Sequence, residues 1–166
     1  GRKLSPTAQL LDDASRGTIS RALAQGDLGN DTGATLLLRE LSGIRATRVL
    51  LVRAGPVKGL TGIKFRKVAT AAARAIKATG AKDALISLGE LTVEDHDVRW
   101  KARVLVEASL EATFTYSATK SKPTPSASWV RTTLPAGNRR EVRTLTDAAR
   151  EGAAIGEGKA FAKELG

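Results

Sequence analysis

Two adjacent carboxylates, Asp12 and Asp13, open the stretch LDDASRGTISRALAQGDL (11–28) of a chain of 166 residues. Paired acids are what general acid–base catalysis needs, provided that both reach one atom. Neighbours on a helix point about 100° apart around its axis, so these two do not converge, and they read as a solvated helix face. The run Glu94, Asp95, His96, Asp97 holds the single histidine of the chain. It lies at the start of a helical pattern, where acids cap free N–H groups and favour the helix dipole, and capping is preferred to metal binding there. The glycine-rich stretch GPVKGLTG (55–62) sits between a strand and a helix, where a phosphate loop would lie. Its spacing matches neither GxxxxGK[ST] nor GxGxxG, so it reads as a plain connection. Asn30-Asp31-Thr32 fits the glycosylation sequon, and without a secretory signal the match reads as incidental. A Ser-His-Asp triad has one candidate base, His96, and no GxSxG supports it. The absence of Cys excludes disulfides, thiolate zinc sites and Cys nucleophiles.

Charge is the next source of chemistry. Lys and Arg number 27 against 17 Asp and Glu, a formal net charge of +10, which suits an acidic partner such as nucleic acid. Candidate phosphate contacts are Lys120 and Lys122 in a Pro-containing loop, and Arg139, Arg140 and Arg143 near the start of the final helix. With one Tyr, two Trp and three Phe, stacking on single strands is disfavoured, and duplex backbone contact is the form expected. A solubilising surface accounts for the same charges. No apolar run approaches the roughly 18 to 20 residues that span a bilayer, so no membrane partner is expected. The chain opens at Gly1 and contains no Met, so its natural start is expected to have been removed or to lie upstream.

These residues must be positioned by a short list of elements. Ser5-Pro6 predicts an N-cap and first helical residue, and the helix ends near Gly17. A second short helix is predicted over Thr18–Gln25, stopped by Gly26. The runs 35–39 and 48–53 are apolar and too short for helices, as strands covered on both faces are. A helix over 63–79, a buried strand over 83–88 and a helix over 95–114 follow. The segment 115–128 reads as an exposed loop, 129–134 as a weaker strand, and the remainder to Leu165 as one long helix or two joined ones. The three glycines of that last segment, Gly152, Gly156 and Gly158, suggest close backbone approach, expected against a partner domain. The pattern gives an α/β fold with a mixed sheet sandwiched between helices.

Taken in order, LSPTAQLLDDASRGTISRALAQGDL, TLLLRELSGIRATRVLLVRAG, FRKVATAAARAIKATGAKDALISL, VRWKARVLVEASLEATFTYSATKSKP and REGAAIGEGKAFAKELG resemble the N-terminal domain of the leucine (cytosol) aminopeptidase family. The resemblance implies a macro-domain-like fold in which residues 1–137 form the α/β domain. Residues 138–166 would then form a linker helix leading toward an absent catalytic domain. It also implies a cytoplasmic protein, a homo-hexamer at full length, and two divalent metals, Zn or Mn, in the catalytic domain. The family's metal motifs, which resemble VGKGxTFDSGG and NTDAEGRL, do not occur here, so no catalytic or metal residue carries over and no cofactor is expected in this chain. The function implied is support for assembly or regulation of a two-metal leucyl aminopeptidase. The alternative is a duplex DNA-binding accessory module for transcription control or site-specific recombination. A nucleotide- or ADP-ribose-binding module rests on fold analogy alone. The sequence departs from the family pattern where Arg53-Ala54-Gly55 replaces a glycine-rich strand ending.

Overall fold

The computed structural model describes residues 3–56, 58–114 and 129–165. Helix α1 (Pro6–Ala14) starts as the sequence predicts: the Ser5 hydroxyl accepts the Ala8 N–H and Pro6 fills the first turn. It ends at Ala14 rather than near Gly17, because the chain turns through Ser15 and the left-handed Arg16 and Gly17. Helix α2 (Thr18–Gln25) closes on Gly26 at φ 88°, a conformation that a side chain would strain. Ile19, Ala22 and Leu23 form its buried face.

Strands β1 (Thr35–Arg39) and β2 (Arg48–Val52) pair antiparallel, with Leu36 opposite Leu51 and Leu38 opposite Val49. These four side chains share one face and pack with Ile19, Leu23 and Leu28. Leu50, on the other face, packs against the core built on helix α3 (Gly62–Ala78). The pair is therefore covered from both sides, α2 on one and α3 on the other, as two-residue alternation requires.

The expected strand over 83–88 is shorter. Strand β3 (Asp83–Leu85) pairs in parallel with β4 (Arg131–Thr133), and the chain then bends into a 3-10 turn at Leu88–Glu90. It is also less buried than its apolar composition suggests, with Leu85 63% exposed. Among the described residues the strands form two separate two-stranded sheets, β1–β2 and β3–β4. The main core lies among α3, helix α4 (Val98–Thr113) and the second sheet, where Phe65, Ala69, Val104, Leu105 and Trp129 meet. Helix α5 (Arg139–Leu165) is a single helix laid along α4, joined by Ala102, Leu145 and Ala148. Gly152 and Gly156 are buried against α4, where an added Cβ would lie 2.8 Å from the Arg103 carbonyl oxygen and 2.7 Å from Leu110 Cδ1. These two glycines serve contact within the domain and not contact with a partner; Gly158 faces open space.

Candidate functional site

The acids of the opening stretch separate as their helical spacing requires, but not into a solvated face. Asp12 is buried. Its Oδ1 accepts the Ser20 N–H at 2.9 Å and its Oδ2 the Ser20 hydroxyl. A residue of α1 thus caps the first turn of α2, whose own N-cap residue, Gly17, has no side chain to do so. The hydroxyl and then the amide of Ser20 hold the Asp12 carboxyl below the usual carboxylate range, against the opposing effect of burial. Asp13 is exposed and takes a hydrogen bond from Gln9 Nε2.

The acidic run before α4 caps as expected. Asp97 is the N-cap and its Oδ1 accepts the Trp100 N–H at 2.8 Å. His96 lies flat on Trp100, with ring centroids 3.6 Å apart, and its Nε2 closes the space beside Gly62. On the other flank of the connection, Thr61 caps α3 by accepting the Lys64 N–H. The helix start after GPVKGLTG is therefore capped by its own side chain and shielded by the imidazole. Among the described residues no three of His, Asp and Glu gather around one point.

Of the candidate phosphate contacts, Lys120 and Lys122 lie outside the described residues. Arg139, Arg140 and Arg143 are exposed on the first turns of α5 and make no ion pair among the described residues. The N–H groups there are less available than the sequence suggests, because Asn138 Oδ1 accepts those of Arg140 and Glu141 at 3.0 and 3.1 Å. Farther along α5 the bases are neutralised: Arg150 by Asp147, Lys159 by Glu107 and Lys163 by Glu111.

Two arrangements escaped the sequence reading. The first is Glu107, a carboxylate 6% exposed in the face of α4, which faces Arg66 at 3.4 Å, Arg103 at 3.6 Å and Lys159 at 3.1 Å. It ties three helices together. The second is a groove between the first turns of α4 and α5, lined by Ile86, Val98, Leu105, Leu134 and Leu145 with Lys101, Glu90 and Glu141. Lys101 Nζ donates to the Leu91 carbonyl at 2.8 Å, and burial lowers its pKa from the ordinary lysine value while Asp97 and Glu141 oppose that shift. The available signal for both was a charge inside an apolar helix face: Lys101 beside Val98, Ala102 and Leu105, and Glu107 beside Leu105 and Ala108.

The family model of the cytosol aminopeptidase family, N-terminal domain, matches residues 1–123. The chain belongs to that family, as its N-terminal domain. A probable cytosol aminopeptidase of Azotobacter vinelandii is 39% identical over 166 residues, which is 100% of this chain and 33% of that protein. The chain thus spans about a third of the length of the curated relatives it matches. In fold it is similar to a solved structure of the bottromycin maturation enzyme BotP in complex with Mn, with a TM-score of 0.65 and 23% identity over 90% of this chain and 28% of that one. Tomato leucine aminopeptidase, at a TM-score of 0.64 and 19% identity, is matched over 91% of this chain and 29% of its own. These likenesses support the mixed α/β architecture. No helix among the described residues is long and apolar enough to cross a membrane.

Proposed function

We propose that this chain is the non-catalytic N-terminal domain of a two-metal leucyl aminopeptidase and serves the assembly or regulation of that enzyme in the cytoplasm. The observation that carries the reading is the alignment of the whole chain with a third of each relative, which leaves the larger part for catalysis. Among the described residues no three of His, Asp and Glu gather to hold a metal ion; Asp12 and Asp97 cap helices and Glu107 faces cationic side chains. The two divalent ions, Zn or Mn, would be held in the catalytic part and there activate water. Helix α5 leads toward that part, and Phe161, 61% exposed near its end, offers apolar surface for it.

Deleting this region from the full-length polypeptide tests the reading. Sedimentation is expected to show loss of the homo-hexamer, with altered peptidase activity; an unchanged assembly and unchanged kinetics would overturn it. The chain alone is expected to turn over no aminoacyl-p-nitroanilide with added Mn or Zn. Turnover above a mock preparation would remove the word non-catalytic.

The second reading is weak, sequence-tolerant binding of duplex DNA, favoured by Arg139, Arg140 and Arg143, which are exposed and make no ion pair among the described residues. If these, with Lys120 and Lys122, neutralise phosphates, log K falls against log salt with a slope of roughly −4. Replacing the three arginines with Ala should flatten that slope. No binding at low salt, or an unchanged slope in the triple variant, would leave assembly alone.

A further inference from the structure

The groove between α4 and α5 encloses about 400 Å³, within the usual range of roughly 300 to 1,000 Å³ for small-molecule sites. Its floor is apolar, formed by Ile86, Leu105, Leu134 and Leu145. Opposite charges stand at its walls. Lys101 spends one N–H on the Leu91 carbonyl and has two further N–H groups without a partner among the described residues. Its amine is partly dehydrated, so an anion reaching it would gain more than it would at an open lysine. Glu141, on the α5 side, uses Oε2 to accept the Gly137 N–H at 2.6 Å, while Oε1 takes no hydrogen bond among the described residues. Glu90 is already engaged, because its carboxylate accepts both the N–H and the hydroxyl of Thr7. The free capacity is therefore one ammonium, one carboxylate oxygen and an apolar floor.

The geometry points to a binding site for an apolar α-amino acid in its zwitterionic form, with the ligand carboxylate on Lys101 Nζ, its ammonium on Glu141 Oε1 and its aliphatic side chain over Leu134 and Leu145. A simple apolar acid would fill the floor and Lys101 but leave Glu141 unpaired. A simple amine would do the reverse and leave the half-buried Lys101 with only the acids already near it, Asp97 and Glu141. The groove opens to solvent and the ligand is small, so binding is weak, with Kd of about 1 mM. This inference goes beyond the assembly reading and does not depend on it, since the site lies wholly within residues of this chain.

The test is an amide chemical-shift titration of the 166-residue chain with L-leucine, 4-methylpentanoate, isopentylamine and glycine. Leucine is expected to shift the amides of 98–105 and 134–145, with the other three compounds weaker by about tenfold or more. Lys101→Met and Glu141→Gln should each weaken leucine binding by about tenfold, while the amides of 35–52 keep their positions and report an intact fold. No shift with leucine would overturn the proposal, as would variants that stay folded and bind it unchanged. Equal binding of 4-methylpentanoate would also overturn it, because the site would then recognise an apolar acid. Should a variant fail to fold, the comparison of the four compounds on the unaltered chain decides.

Discussion

Asp12 and Ser20 are joined twice, through the Ser20 amide and the Ser20 hydroxyl, so that one helix caps the next across the three-residue turn Ser15, Arg16 and Gly17. Losing a side-chain cap costs about 0.5 to 2 kcal/mol, and Asp12 accepts two bonds, one from the Ser20 amide and one from its hydroxyl, which favours the upper part of that range. Asp12→Ala is therefore expected to lower stability by about 1 to 2 kcal/mol in urea unfolding. Asp13→Ala, at an exposed residue holding only Gln9, should change it by less than about 0.5 kcal/mol. Equal losses at the two positions would show that the cap is not what holds α1 to α2.

The same pair sets a dependence on pH. The Asp12 carboxyl is held below its ordinary value of 3.8 in the folded chain, first by the Ser20 hydroxyl. A group whose folded pKa is depressed contributes stability that is present above the unfolded value and is lost as pH falls through the folded one. The stability gap between the parent chain and Asp12→Ala should be constant well above pH 3.8 and should narrow in more acid solution. Urea midpoints across the acid range measure it; a gap that widens on acidification would contradict the assigned direction.

Removing Glu107 and removing its partners are not equivalent. Arg66 and Lys159 are 46% and 47% exposed, so after Glu107→Ala they can turn to water, and the expected cost is about 2 to 3 kcal/mol, below the roughly 3 to 5 kcal/mol of a fully buried pair. Arg66→Ala or Lys159→Ala leaves Glu107 two other cations and should cost about 1 kcal/mol or less. Replacing Arg66, Arg103 and Lys159 together strands a buried carboxylate and should cost more than the sum of the single changes. Chemical unfolding of these four variants and of Arg103→Ala checks this order.

The three glycines of α5 should respond differently to alanine. Helix propensity favours each change by about 1 kcal/mol. At Gly158 nothing opposes it, and Gly158→Ala is expected to stabilise by about 0.5 to 1 kcal/mol. At Gly152 the new Cβ would meet the Arg103 carbonyl oxygen at 2.8 Å and Val106 Cβ at 3.0 Å, neither of which can swing away. Overpacking there costs about 1 to 3 kcal/mol, so Gly152→Ala should be neutral to destabilising by about 2 kcal/mol. Gly156→Ala should fall between, because part of its obstacle is the rotatable end of Leu110. Thermal unfolding that ranks Gly158→Ala below Gly152→Ala would mean that α5 does not lie on α4 as described.

Local chemistry made several elements legible. Ser5 before Pro6, Gly26 after Gln25 and Asp97 before Val98 mark helix ends through bonds within a few residues of themselves, so their reading needs no knowledge of the fold. The apolar runs 35–39 and 48–52 likewise declare strands with two covered faces. The observed strand Asp83–Leu85 is shorter than the apolar run 83–88 because such a run records burial potential, not partner strands; among the described residues only β4 pairs with it.

By itself, the order of helix caps, apolar runs and punctuating glycines determined the α/β class, the family and the approximate place of each helix and strand along the chain. Only the tertiary structure decided what the charged and small residues do. Asp12 reads as solvated until α2 folds back over it, Gly152 and Gly156 read as partner contacts until α4 lies beneath them, and Lys101 and Glu141 are 40 positions apart until α4 and α5 pack side by side. The reason is one of range. Capping and periodicity act over a few residues and are written in neighbouring letters, whereas burial, pairing of charges and the opening of a groove depend on which distant element arrives at a face.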